Sequence, residues 1–199
     1  ENPVWITCTW PNDFSNVVEW QWKEKVIPYW KEQNKFLQQH NVRVAIEPHP
    51  GFVVYNNETA IKLRKECGDQ IGVNFDPSHY FWQGMDPEQS IKEIGDALFH
   101  FHAKDTQIEP RNTALNGVLD TKSYADIANR SWIFRTVGYG HDERVWRNII
   151  SALQVIGYDG AVSIEHEDGL MSVEEGFTKA VSFLDNMMIQ EGATELWWA

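Results

Sequence analysis

Four ionisable side chains stand at the ends of four short apolar runs, where their types and positions could support chemistry. The runs are VRVAIEPHP (42–50), QIGVNFDPSH (70–79), ALFHFHAKD (97–105) and GAVSIEHED (160–168), and the side chains are Glu47, Asp76, His102 and Glu165. Carboxylates held close together raise one another's pKa unless a cation is present. A divalent ion removes that conflict, and a ligand set dominated by oxygen favours Mn²⁺, Mg²⁺ or Co²⁺. The competing interpretation, four separate polar residues facing solvent, requires their shared position in four successive runs to be a coincidence.

The elements that must position these residues alternate between strands and helices. The four apolar runs are predicted strands, and a fifth run, VWITCTW (4–10), is a candidate strand before the first helix. Helices are predicted over about 17–40, 57–65, 87–94, 142–155 and 172–188, and Pro28 should interrupt the first of them. The predicted capping residues are Asn57, Asp86, Asp142 and Ser172. This alternation predicts a parallel sheet with crossover helices in one domain, residues 1–199.

Each predicted strand places large apolar side chains on one face and small or polar ones on the other. In the second strand, for example, Val73 and Phe75 oppose Asn74 and Asp76. An open doubly wound sheet buries both faces beneath helices, so one polar face fits the inside of a barrel better. In such barrels the chemistry lies at the carboxyl ends of the strands, where the four ionisable residues are expected. The sequence therefore predicts an α/β protein of the (β/α)8 TIM-barrel class.

The runs IEPHP, NFDPSH, HFHAKD and SIEHED resemble the metal-binding strand ends of the xylose isomerase-like TIM barrels. That superfamily includes sugar-phosphate isomerases and epimerases, ketose 3-epimerases, inosose dehydratases, hydroxypyruvate isomerases and, more distantly, endonuclease IV. The resemblance implies one divalent metal ion, Mn²⁺ first with Mg²⁺, Co²⁺ or Zn²⁺ as alternatives, bound by Glu47, Asp76, His102 and Glu165. It also implies that Glu47 and Glu165 are the catalytic residues that exchange a proton with substrate, and that His79 binds substrate.

Further candidates for substrate binding lie near these motifs. Lys104 lies on the same predicted strand face as the ligand histidine and could neutralise a developing oxyanion, although pairing with Asp105 is an equally good interpretation. His49 could reach substrate from its loop or could simply be solvated. The arginine that follows the ligand histidine in the small epimerases has no clear counterpart here, and Arg135 and Arg111 are the candidate substitutes.

The longest predicted connection, residues 106–141, is rich in Asn, Thr, Gly and Arg, as functional or mobile loops often are. It resembles the insertion of the inosose dehydratase branch, which favours cyclic polyol or keto-sugar substrates. Trp5, Trp10 and Trp82 lie near the predicted loop mouths and either stack on sugar rings or pack in the core. Packing is the favoured interpretation.

Together these features predict a metal-dependent isomerase or epimerase acting on a sugar, sugar phosphate or keto-polyol. A proton is removed next to a carbonyl, and the metal stabilises the enediolate. Dehydration of a keto-polyol begins with the same proton abstraction and is the close alternative. An endonuclease IV-like nuclease is disfavoured because a formal net charge of −12 opposes nucleic-acid binding. A non-catalytic sugar-binding barrel is the alternative from a different class.

Composition and length set the remaining expectations. An acidic chain with 42% hydrophobic residues and no run of membrane-span length predicts a globular protein without nucleic-acid or membrane partners. A homo-oligomer is compatible with this composition, and two cysteines favour a reducing cytoplasm. A complete barrel needs about 250 residues. The 199 residues therefore predict a barrel truncated at its N-terminus, about strands 4 or 5 to 8, that is inactive or self-associating alone.

Overall fold

The computed structural model describes residues 11–192, 195–196 and 198, in which helices alternate with strands. The helices are α1 (Pro11–Gln21), α2 (Ile27–Gln39), α3 (Asn57–Cys67), α4 (Pro77–Gln83), α5 (Pro87–Ile94), α6 (Pro110–Asn116), α7 (Glu143–Val155) and α8 (Val173–Asp185). The strands are β1 (Val44–Ile46), β2 (Ile71–Phe75), β3 (Leu98–Ala103), β4 (Asp105–Ile108), β5 (Trp132–Arg135) and β6 (Val162–Ile164). The chain divides into two compact units between Val73 and Asn74. The assignment of 1–199 to a single domain stays a prediction.

The first unit contains α1, α2, α3, β1 and the first three residues of β2. A π-helical turn, Trp22–Val26, joins α1 to α2, so the predicted helical stretch is interrupted immediately before the turn that contains Pro28. A proline inside a helix removes one backbone hydrogen bond and crowds the preceding turn, which is the physical reason to expect a break there. Val44–Ile46 pair in parallel with Ile71–Val73.

The helix caps follow the sequence prediction with one exception. Three predicted caps accept hydrogen bonds from backbone N–H groups in the first turns of α5, α7 and α8: they are Asp86, Asp142 and Ser172. The exception is α3, which is capped by Asn56 rather than Asn57, because Asn56 and Thr59 bond reciprocally across the first turn. α8 is also shorter than predicted, ending at Asp185 instead of Met188.

The second unit is built on parallel strands. The carboxyl end of β2 lies beside β3 in the strand order, and β3 pairs in parallel with β6, with His102 opposite Ser163. Phe75, Phe101 and Trp146 are fully buried and belong to the core of this unit. Because parallel strands end at the same edge of a sheet, the polar residues that follow them are carried to one place.

The segment predicted as one long connection is largely structured. β4 pairs with β5 in antiparallel fashion, with Asp105 opposite Arg135 and Ile108 opposite Trp132, and α6 lies between them in the chain. The expectation of a long loop over 106–141 is therefore wrong for these elements. α4 is likewise absent from the sequence prediction, although it begins directly after Asp76.

Trp82 belongs to an aromatic core rather than to an exposed stacking surface. It is 8% exposed and stacks on Trp132, with ring centroids 4.6 Å apart, and both rings pack with Phe134. The packing interpretation is therefore confirmed for Trp82, whereas Trp5 and Trp10 lie outside the described residues.

The described residues provide four parallel strands, β1, β2, β3 and β6, of the eight in a complete TIM barrel. This number fits the predicted α/β class with an incomplete barrel. Within the same described ranges, no helix has the length and apolar character needed to cross a bilayer.

Candidate metal centre

Asp76 lies between the end of β2 and the start of α4 and is completely buried. Its Oδ1 accepts a hydrogen bond of 2.8 Å from the backbone N–H of Ser78, and through this bond Asp76 caps α4. Its Oδ2 makes no hydrogen bond; His79 Nε2 lies 3.4 Å from it and the Lys104 ammonium 3.7 Å. Burial raises the pKa of the Asp76 carboxyl. A buried carboxylate oxygen without a hydrogen bond is costly unless a cation satisfies it.

His102 on β3 and Glu165 after β6 are brought together by the parallel pairing of their strands. His102 Nδ1 lies 3.0 Å from Glu165 Oε2, and the side-chain amide nitrogen of Asn74 lies 3.3 Å from His102 Nε2. The close approach of the His102 ring lowers the pKa of Glu165 to about 2, helped by the Lys104 ammonium and opposed by partial burial. Glu165 is therefore anionic at neutral pH.

Within the second unit, Asp76, His102 and Glu165 form a set of donors that fits a divalent metal. Each offers one ligand atom, and these atoms lie within 4.8 Å of one another. The set combines two carboxylates with an imidazole, which suits Mn²⁺, Mg²⁺, Co²⁺ or Zn²⁺, and one oxygen of Asp76 is buried without a hydrogen bond. Glu47 follows β1 in the first unit and is partly buried. Its place among the ligands stays a prediction.

Lys104 is a buried cation at the same edge of the second unit, with its side chain only 2% exposed. Its ammonium bonds to the carboxylate of Glu167 and lies 3.3 Å from Glu165 Oε1. It also sits 4.1 Å from the centre of the Phe134 ring. Burial works against the charged form, but Asp76, Glu167 and Glu165 outweigh it and raise the pKa of Lys104. Lys104 is therefore charged and lies beside two of the candidate ligands.

Asp105, the alternative partner considered for Lys104, is engaged by other groups. Its Oδ2 accepts backbone N–H groups from Gly138, Gly140 and His141, at 3.0, 3.1 and 2.9 Å, and the indole N–H of Trp146 at 3.2 Å. Its Oδ1 lies 2.7 Å from His141 Nδ1. This carboxylate holds the turn before α7 against β4 rather than balancing the lysine.

The two histidines predicted to bind substrate, His79 and His49, lie in different units of the chain. His79 is buried beside Asp76, and its ring is perpendicular to the ring of Phe134, with the two centroids 5.7 Å apart. His49 lies in the first unit, where its Nδ1 is 2.8 Å from the carbonyl oxygen of Pro50. Thus His79 lies in the cluster of the second unit, and substrate binding by His49 stays a prediction.

The two candidate arginines, Arg135 and Arg111, differ in their exposure and contacts. Arg135 on β5 donates to Asp168 at 3.1 Å and bonds to the side chain of Gln107, and its side chain is only 10% exposed. Arg111 is exposed on α6. The described contacts of Arg135 are those of a structural ion pair, so substrate binding by either arginine stays a prediction.

Sequence reasoning missed two residues of the cluster, Glu167 and Phe134. Glu167 carries a signal in the sequence, because it follows Glu165 by two residues in an extended segment and alternate residues share a face. Phe134 carries none, because its approach to Lys104 depends on the unpredicted pairing of β4 with β5.

Comparisons with known proteins agree with this architecture. The model of the family described as xylose isomerase-like TIM barrel matches residues 8–187. The uncharacterized protein YfiH of Bacillus subtilis (strain 168) is 40% identical over 191 residues, which cover 94% of this chain and 61% of YfiH. The chain therefore spans less than two thirds of the length of this relative.

Two solved structures illustrate the shared fold. The IOLI protein with a bound zinc atom has a TM-score of 0.59 and 22% identity, over 83% of this chain and 55% of that one. A D-psicose 3-epimerase crystallised in the presence of D-fructose has a TM-score of 0.53 and 16% identity, over 80% and 53%. These likenesses, with the family match, confirm the predicted α/β TIM-barrel class, of which the chain covers about half.

Proposed function

Since the chain belongs to the xylose isomerase-like TIM-barrel family, we propose that it is a divalent-metal-dependent isomerase or epimerase of sugars or sugar phosphates. The observation that carries this proposal is the cluster of Asp76, His102 and Glu165, whose ligand atoms lie within 4.8 Å of one another and whose member Asp76 has a buried Oδ2 without a hydrogen bond. The zinc atom in the IOLI structure and the sugar chemistry named for D-psicose 3-epimerase support it.

The metal would be held by Asp76, His102 and Glu165, with Glu47 as the predicted fourth ligand. Mn²⁺ is the first choice, and Mg²⁺, Co²⁺ and Zn²⁺ are the alternatives. When bound, such an ion polarises a carbonyl group and lowers the cost of removing the neighbouring proton.

The chain's own residues supply the proton transfer and the binding of substrate. Glu165 is anionic, because His102 and Lys104 lower its pKa, and is therefore able to accept a proton next to a carbonyl. Glu47 is the predicted second proton carrier. Lys104 brings a buried positive charge to the same edge, where it stabilises negative charge that develops on substrate oxygen. His79 is the predicted substrate-binding residue on α4.

Net charge and cysteine content support the proposed partners and compartment. The formal net charge of −12 favours a small-molecule partner over nucleic acid, and no membrane partner is proposed. Cys67 is a buried free thiol, which fits the cytoplasm. A homo-oligomer remains a prediction.

The test is proton exchange on purified protein loaded with Mn²⁺. Ketoses, ketose phosphates and inososes are incubated in deuterated buffer, and loss of the α-proton signal is followed by NMR. We expect exchange with at least one ketose or inosose, and its loss in Glu165→Gln but not in Glu174→Gln, an exposed control on α8. Elimination of water instead would identify a dehydratase. Sugar binding without exchange would identify a non-catalytic barrel, and exchange retained by Glu165→Gln would refute the proposal.

A further inference from the structure

The Lys104 ammonium is shared among three carboxylates that differ in their roles. Two belong to the proposed metal ligands: Glu165 Oε1 at 3.3 Å and Asp76 Oδ2 at 3.7 Å. The third, Glu167, has no proposed catalytic role, yet it makes the shortest contact with the lysine. Glu167 is also the most exposed of the three, with half of its side chain open to solvent. The shortest contact of the lysine is therefore with the most exposed of the three carboxylates.

A divalent ion and this ammonium compete for the same oxygens. Both are cations, and like charges a few ångströms apart repel each other strongly where water is largely excluded. Lys104 is almost fully buried, so its ammonium is shielded from solvent and depends on these carboxylates for its charge partners. The centre of the Phe134 ring lies 4.1 Å from the ammonium and adds a further contact that limits where it can move. Glu167 is thus the partner that can retain the charge when the other two bind metal.

We propose that Lys104 is the internal counter-cation of Asp76 and Glu165 in the metal-free protein, and that Glu167 is a positioning residue that holds this ammonium aside when metal binds. The inference rests on the metal site of the proposed function and adds a control on its affinity. It predicts that Lys104 weakens metal binding and that Glu167 strengthens it, although the two side chains bond to each other.

The test measures Mn²⁺ dissociation constants by calorimetry and melting temperatures of the metal-free protein. Lys104→Met removes the competing charge, so we expect Mn²⁺ to bind at least about tenfold more tightly and the metal-free protein to melt at a lower temperature. Glu167→Gln releases the ammonium toward the ligands, so we expect binding about tenfold weaker. Glu167→Asp keeps the charge and should restore affinity to within about threefold of wild type.

The double variant Lys104→Met/Glu167→Gln separates this mechanism from a general charge effect. If Glu167 acts through the lysine, adding Glu167→Gln to Lys104→Met changes the Mn²⁺ constant by less than about twofold. An equal weakening in both backgrounds would overturn the proposal, as would looser binding by Lys104→Met. Where Lys104→Met does not fold, Lys104→Gln serves instead, because its amide can still bond to carboxylates.

A matched pair on α8 provides the control. Lys179 and Glu175 form an exposed ion pair at 2.7 Å, and neither belongs to the metal cluster. Lys179→Met and Glu175→Gln should leave the Mn²⁺ constant unchanged, and a shift equal to that at 104 or 167 would overturn the proposal. Failure of the wild-type protein to bind Mn²⁺ would instead refute the proposed function, while the metal-free melting temperatures would still test Lys104 as counter-cation.

Discussion

Asp105→Asn should destabilise the protein, because this fully buried carboxylate accepts hydrogen bonds on both oxygens. Oδ2 accepts four N–H groups, and Oδ1 faces the backbone N–H of Thr106 at 2.8 Å and the ring of His141. The least disruptive placement of an asparagine puts its NH₂ at the Oδ1 position. There the backbone N–H of Thr106 meets a donor instead of an acceptor, whereas the imidazole can change tautomer.

The magnitude follows from the bonds that are lost or weakened. One charge-assisted hydrogen bond is broken at about 1.5–3 kcal/mol, and the four bonds at Oδ2 lose their ionic character. We therefore expect the free energy of unfolding to fall by about 3 kcal/mol, a large fraction of the roughly 5–15 kcal/mol that stabilises a typical domain. Backbone amides of Gly138, Gly140 and His141 should also lose protection from hydrogen exchange, because they donate to Asp105.

Urea unfolding followed by far-UV circular dichroism measures this effect. The matched control is Asp86→Asn, an exposed cap of α5 where asparagine is an equally good residue, so its cost should stay below about 0.5 kcal/mol. An Asp105→Asn variant within about 0.5 kcal/mol of wild type, or equal to the control, would show that the carboxylate does not organise the turn.

Three further perturbations test other parts of the structure. Burial raises the pKa of Asp168, but two backbone hydrogen bonds and the Arg135 guanidinium outweigh it and hold the pKa below its usual value. Asp168→Asn should therefore lower the free energy of unfolding at neutral pH. In urea titrations from pH 7 to 2, the difference from wild type should shrink below about pH 4, because protonation of Asp168 removes the same contribution from wild type. A difference that stays constant with pH would contradict this. Gly140→Ala would push a methyl group into the carbonyl oxygen of Thr106 and should lower the free energy of unfolding by about 2 kcal/mol or more, whereas a change near zero would contradict the packing. Asn56→Ala removes the side-chain cap of α3 and should cost about 1 kcal/mol in the same assay, with no loss if the cap contributes nothing.

Local signals in the sequence carry much of the fold and of the site. A cap such as Asp86 followed by proline acts through its immediate neighbours, so the start of α5 can be predicted without tertiary information. The period of two along β2 and β3 placed Asp76 and His102 at strand ends, and parallel pairing then brings them to one edge. The approach of His102 to Glu165 can likewise be predicted from the parallel direction of their strands.

Features that depend on long-range pairing could not be predicted in the same way. β4 and β5 are separated by residues 109–131, and nothing local in Asp105–Ile108 indicates that its partner is Trp132–Arg135. The same pairing brings the Phe134 ring next to Lys104, so this contact cannot be predicted from the periodicity of the sequence. Asn56 was missed for a different reason: Asn56 and Asn57 are equally good caps by type, and only the two reciprocal hydrogen bonds between Asn56 and Thr59 decide between them.

Asp76 couples the folding of a helix to the orientation of a candidate ligand. One oxygen accepts a hydrogen bond from the first turn of α4, so the carboxylate cannot rotate about its side-chain bonds without breaking the cap of that helix. The other oxygen is consequently aimed by the backbone rather than by a rotamer that is free to adjust. An alanine at this position would remove cap and ligand together, whereas an asparagine could keep the cap while presenting a neutral group. Substitution at residue 76 therefore has a folding cost and a chemical cost that only this pair of variants can separate.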